Sequence, residues 1–136
     1  MAQATYGTIE YAYLNLGTKL IVVLGHSTCG AVEAAIKRPE APPGHIVSLI
    51  NAIKPAAIKV QNMQGDKLEN AVRQNIMNQV MELRQLEPVL SRAYDKGELL
   101  IVGAVYNLAT GSVEFLSETM QNLPATNFSK RDITGL

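Results

Sequence analysis

Apolar positions recur along the chain with two different periods. In residues 6–16 (YGTIEYAYLNL), Ile9, Ala12, Tyr13 and Leu16 are spaced three and four apart, which is the spacing of one helix face. This predicts a short amphipathic helix with Thr8 as its N-cap and Gly17 as the residue that ends it. Leu20–Leu24 (LIVVL) is a continuous apolar run of strand length, and Leu99–Val105 (LLIVGAV) is a second. Runs that are apolar on both faces suit strands of a parallel sheet with helices over both sides. Between them, Gly25–Gly30 (GHSTCG) turns the chain and Ala31–Ile36 begins a helix. Pro39, Pro42, Pro43 and Gly44 mark a loop. From His45 to about Leu90 the pattern is helical. Ile46, Leu49, Ile50 and Ile53 form one stripe, which Pro55 is expected to break. After Gly65-Asp66, Leu68, Val72, Ile76, Val80, Leu83 and Leu86 form a longer stripe, closed by Pro88. Asp95–Gly97 and Asn107–Gly111 read as turns, and Val113–Leu116 as a short strand.

Helix, buried strand, helices, buried strand, short strand is an α/β order. The expected fold is a mostly parallel sheet core covered by helices on both faces. Residues 1–120 read as one domain and residues 121–136 as a polar tail. Of the 136 residues, 47% are apolar and 18% charged, which favours a folded chain over a disordered one. Twelve basic and 12 acidic residues leave no net charge. That balance argues against nucleic acid or an anionic membrane as partner, since both demand a basic surplus. No apolar run approaches the roughly 18 residues of a membrane span. The start, MAQATYGTIEYAY, lacks the basic and apolar regions of a secretory signal. A single cysteine, Cys29, allows no internal disulfide. Cytoplasm is the expected compartment.

Candidate chemistry concentrates in residues 20–32, LIVVLGHSTCGAV. His26 follows a strand end, where open α/β sheets place their ligand sites. Cys29 lies at the start of a predicted helix, whose free N–H groups and dipole favour a thiolate. Gly25 and Gly30 permit a tight turn and close backbone approach. The H-x-x-C spacing leaves three readings open. Imidazole and thiolate can bind zinc together. They can form a Cys–His nucleophile pair, which needs an orienting partner for His26. Or Cys29 is an inert packing residue beside a hydrogen-bonded histidine. His45 reads as an exposed loop histidine, Tyr11, Tyr13 and Tyr106 as packing residues with bonded hydroxyls, and Arg73, Arg84 and Arg92 as solvated.

The longer string YGTIEYAYLNLGTKLIVVLGHSTCGAV resembles the segment of β-class carbonic anhydrases that carries the G-H-x-x-C-G motif. Asn75-Ile76 through Gln79-Val80, Leu83 and Pro88 resemble the long helix of that family, N-V-x-x-Q-V-x-x-L-x-x-x-P. Gly103 to Tyr106 and Thr110-Gly111 resemble its G-x-x-Y-x-x-x-T-G strand and turn, and Val113–Leu116 its last core strand. The resemblance runs in register over about residues 6–116. It implies a zinc enzyme that hydrates CO2 reversibly to bicarbonate through zinc-bound hydroxide. It assigns His26 and Cys29 as zinc ligands, with Gly25 and Gly30 shaping the site and no catalytic side chain beyond the metal centre.

The same resemblance exposes a departure. Family members carry a C-x-D-x-R motif upstream, whose Cys is a further zinc ligand and whose Asp and Arg handle the zinc-bound water. Cys29 is the sole cysteine here, and none of Asp66, Asp95 and Asp132 lies in a D-x-R. The expectation is a partial β-carbonic-anhydrase-like fold, N-terminally truncated relative to the family. An apolar edge strand at Leu20–Leu24 follows, and such an edge recruits another chain. A homo-oligomer, or a partner supplying the missing half, is therefore expected. Two alternatives stand beside a zinc enzyme completed in this way. One is a homologue that binds zinc structurally, two chains pooling their His26 and Cys29 in a closed set. The other is a non-catalytic oligomerising module.

Overall fold

The computed structural model describes residues 2–120. Its elements run α1 (Gln3–Leu16), β1 (Leu20–His26), α2 (Gly30–Lys37), α3 (Ile46–Val60), α4 (Lys67–Arg84), α5 (Leu90–Asp95), β2 (Leu100–Tyr106) and β3 (Val113–Phe115), followed by a 3-10 turn at Ser117–Thr119. The sheet order is β1-β2-β3. β1 and β2 are parallel, from Leu20 opposite Leu100 to His26 opposite Tyr106. β3 returns antiparallel to β2, with Phe115 opposite Ala104. The α/β class and the parallel pair agree with the sequence pattern. The tail expected at residues 121–136 lies outside the described residues.

Helix α4 organises the core. Its N-cap Asp66 accepts the Glu69 N–H on Oδ1 at 2.7 Å, which satisfies one of the free amides of the first turn. Val72, Ile76, Val80 and Leu83 are buried along one side of it. They face β1 and β2, and the other side of the core is closed by α2 and α3 through Val32, Ala35, Ile50, Ile53 and Ala57. Leu83, Leu90, Leu99, Ile101 and Leu116 are the largest fully buried side chains, each worth about 1.5–3 kcal/mol of burial.

Several expectations need correction. α1 begins at Gln3 after an Ala2 cap, and Thr8 lies inside the helix, its Oγ1 donating to Ala4 O at 3.0 Å. Gly17 does end it, at φ 71°. α3 continues through Pro55. Pro55 is on the exposed side, while Ile50, Ile53, Ala56, Ala57 and Val60 keep a buried stripe running past it. That burial outweighs the one backbone bond a proline removes, a loss of about 3 kcal/mol. Arg84 is not solvated. It donates to Ile101 O from Nε at 3.1 Å and Nη2 at 2.6 Å, also to Thr119 O, and its guanidinium stacks 4.7 Å from the Tyr94 ring centroid. Tyr13 fits its expected role, donating to Glu98 Oε2 at 2.8 Å, whereas Tyr11 is exposed.

The largest difference concerns the sheet faces. Central strand β2 is buried from Ile101 to Ala104. β1 alternates exposed and half-buried. Ile21, Val23 and Gly25 turn inward, whereas Leu20, Val22, Leu24 and His26 point outward, with Leu24 55% exposed. Helices cover only one face of this strand among the described residues. A continuous apolar run states that both faces are apolar; it does not state that both are covered. Among the described residues β1 is also an edge, as expected. Tyr11, Leu14 and Leu16 on α1 add further exposed apolar surface to the same segment.

Candidate metal centre

The site is a four-residue passage from the end of β1 to the start of α2. His26 closes β1 on its outward, exposed side. Thr28 sits at φ 51°, a left-handed conformation uncommon for a residue with a Cβ. This single reversal redirects the chain into α2. Cys29 is the N-cap of α2, extended at φ −72° and ψ 115°, and its side chain makes no capping bond. The thiol is unpaired, partly buried and packed against the core cluster. The turn thus sets His26 at the exposed end of β1 and Cys29 at the N-cap of α2, three positions apart.

The histidine is oriented. Its Nδ1 lies 3.0 Å from Ser27 O. A carbonyl only accepts, so in the neutral ring Nδ1 carries the proton and Nε2 keeps a free lone pair. A second ring nitrogen bonded to a backbone carbonyl is the usual support of a metal-ligating histidine.

The glycines act differently from the expectation. Neither Gly25 nor Gly30 has a positive φ; Thr28 makes the reversal. A Cβ on Gly30 would meet nothing within 4 Å, so no close approach occurs there. A Cβ on Gly25 would stand 2.5 Å from Ile76 Cδ1. Gly25 is therefore demanded by the packing of α4 beneath the turn.

Ser27 was not singled out by sequence reasoning. Its N–H donates to Tyr106 O at 2.9 Å, and its Oγ accepts the Leu108 N–H at 2.9 Å. The turn after β2 is held by Asn107 Oδ1, which accepts from the amides of Ala109 and Thr110 at 2.9 and 3.2 Å. The only available signal was the density of Asn, Thr, Ser and Gly in residues 107–112, which marks a self-bonded turn.

A cavity of about 380 Å³ opens beside this passage, lined by Ser27, Thr28, Asp66, Arg73, Asn107 and Glu114 among others. Neither His26 nor Cys29 lines it. Its charged wall is internally satisfied. Arg73 Nη1 and Nη2 each donate to a Glu114 carboxylate oxygen at 3.1 Å, correcting the expectation that Arg73 is solvated. That bidentate bond, and then the charge of Arg73, hold the Glu114 carboxyl below its ordinary 4.5.

The donor chemistry of the passage fits zinc, since an imidazole nitrogen and a thiol are both preferred ligands. The donor count is two. Among the described residues, no group of three or more His, Cys, Asp and Glu is placed to hold a metal ion. His45 is exposed at the head of α3. No described helix is long and apolar enough to cross a membrane.

Residues 1–113 match the family described as carbonic anhydrase. The chain is 32% identical over 117 residues to a carbonic anhydrase of Mycolicibacterium smegmatis, covering 84% of this chain and 57% of that one. It spans about half the length of the curated relatives it matches. Among solved structures, a Coccomyxa β-carbonic anhydrase in complex with acetazolamide superposes with TM-score 0.71 at 27% identity, covering 82% of this chain and 52% of that one. A tetrameric β-carbonic anhydrase of Sordaria macrospora shares the fold at TM-score 0.69 and 22% identity, over 85% of this chain and 61% of that one. On the family match, the curated relatives and the shared fold, the chain belongs to the β-carbonic anhydrase family.

Proposed function

We propose that His26 and Cys29 are two protein ligands of a zinc centre that hydrates CO2 reversibly to bicarbonate. The remaining donors come from polypeptide docked along the open face and edge of β1, in the same assembly. His26 carries this reading. Its Nδ1 is engaged by Ser27 O, so Nε2 is presented for a metal, on the outward face of β1. When bound, zinc would act as Lewis acid and source of hydroxide at neutral pH. The chain's own part is to present the imidazole in one tautomer, to offer the Cys29 sulfur at the α2 N-terminus, and to leave the neighbouring face free for the completing segment. Cytoplasm is the proposed compartment, where a lone thiol stays reduced.

The assembly is proposed to be a homo-oligomer. Leu20, Val22 and Leu24 are exposed on the same face as His26, and the related Sordaria enzymes are tetrameric. The short donor count also favours a second reading. Two copies meeting at β1 would pool two His and two Cys into a closed, structural zinc site.

Elemental analysis of zinc in protein of confirmed intact mass, together with a CO2-hydration assay, separates these readings. A catalytic centre predicts zinc that is lost in Cys29→Ser and His26→Ala, with a hydration rate lost alongside it. About one zinc per two chains without hydration supports the structural site. A folded, zinc-free and inactive protein overturns both and leaves a non-catalytic oligomerising module.

A further inference from the structure

We infer that Ser27 is a positioning residue that clamps the His26 ligand to the Asn107–Gly111 turn. This rests on the zinc reading above for its purpose, though its geometry stands independently. Ser27 makes three polar contacts through three different atoms. Its carbonyl accepts from His26 Nδ1 at 3.0 Å, its N–H donates to Tyr106 O at 2.9 Å, and its Oγ accepts from Leu108 N at 2.9 Å. The residue whose carbonyl sets the imidazole tautomer is therefore itself anchored to the end of β2 and to the turn beyond it.

The turn does not need Ser27 to close. Gly111 N donates to Asn107 O and Asn107 N to Ser112 O, each at 2.8 Å. The Asn107 carboxamide takes the amides of Ala109 and Thr110, and Thr110 Oγ1 lies 2.7 Å from Ser112 Oγ. Leu108 is the amide left over, and its side chain is 55% exposed, so packing does not hold it. Its N–H reaches 81 positions back along the chain to the Ser27 hydroxyl. A rigid, self-bonded turn thus spends its spare donor on the residue beside the ligand. The left-handed Thr28 next to it needs such support, because strained backbone persists only where its surroundings over-determine it.

The test uses the full chain with Ser27→Ala, Ser27→Thr and Leu108→Pro, each checked for folding by circular dichroism. Leu108→Pro deletes the donor from the opposite side, at a turn position that tolerates proline. Nitrogen-15 NMR of the metal-free protein reads the His26 tautomer. Competition with a chromophoric chelator reads zinc affinity. The clamp predicts a dominant Nδ1–H tautomer in the parent and in Ser27→Thr. It predicts loss of that dominance in Ser27→Ala and Leu108→Pro, with zinc affinity falling about 10-fold, the lower end for lost ligand support. An unchanged His26 tautomer in folded Ser27→Ala and Leu108→Pro overturns the clamp, whatever the zinc result. A parent that takes no zinc overturns the zinc reading alone, and the tautomer measurement still decides the clamp.

Discussion

Ile76 leaves no room for a side chain on Gly25: a Cβ there would stand 2.5 Å from Ile76 Cδ1 and 2.8 Å from Cγ1. The same isoleucine presses Cγ2 to within 2.6 Å of a Cβ built on Gly103, in the neighbouring strand. One side chain of α4 thus seats on two glycines of adjacent strands, and it brings the helix close under the turn that carries His26. Gly25→Ala should destabilise the fold by about 1–3 kcal/mol through overpacking. The cost should shrink in an Ile76→Ala background, because the clash is with that side chain. Gly30→Ala meets open space and should leave stability within about 1 kcal/mol, the range for glycine and alanine in a helix. Urea unfolding of the four variants checks all three statements.

Arg84 ties two backbone carbonyls and an aromatic ring together. Its guanidinium bonds the carbonyls of Ile101 and Thr119, both residues buried, and lies over Tyr94. Arg84→Ala should leave both carbonyls short of a donor and cost about 1–3 kcal/mol each way it is measured, by heat or denaturant. Arg84→Lys should recover only part of this, since an ammonium cannot span both carbonyls with a planar fork. Full recovery by lysine would show that charge alone matters at this position.

Glu114 and Arg73 give the fold a specific acid response. The carboxyl is held below its ordinary 4.5 chiefly by the Arg73 hydrogen bond. A folded value below the unfolded one means the pair stabilises above about pH 5 and that this is lost as pH falls through the folded value. Glu87 is shifted the same way, first by Ser91 Oγ at 2.5 Å and then by Arg92. Glu114→Gln should therefore lower the thermal midpoint slightly at neutral pH, flatten part of its decline between about pH 5 and pH 3, and converge with the parent in acid. Both carboxylates are largely exposed, so added salt should weaken the effect. An acid limb identical in parent and Glu114→Gln would show that the pair contributes nothing measurable.

The open face of β1 predicts self-association. Leu20 and Leu24 are 49% and 55% exposed on the side that carries His26. Light scattering coupled to size exclusion should give the parent a mass of two or more chains at micromolar concentration. Leu24→Glu should shift it toward the single-chain mass, because an unpaired carboxylate buried in an apolar contact is costly. Tyr11→Ser tests whether α1 belongs to the same contact. A parent that runs as a monomer rules out this surface as a strong interface.

Local pattern was enough for most elements and for the motif. The periods of three to four in α1 and α4, the two apolar runs and the Gly17 stop follow from side-chain spacing, which a chain carries without its fold. The His26-x-x-Cys29 spacing is local in the same way, so the motif can be read before any packing is known. What tertiary structure decided is everything that depends on a distant neighbour. Pro55 stays inside α3 because a buried stripe lies on its far side. Arg84 is drawn inward by the carbonyls of Ile101 and Thr119. Gly25 answers to Ile76, 51 positions along the chain, rather than to its own turn. Ser27 gains its role only when β1 and β2 lie parallel in a register that sets His26 beside Tyr106 and brings the Leu108 amide to its hydroxyl. The open face of β1 is of the same kind, since an apolar run specifies what a strand can bury and only the assembled layers specify what covers it.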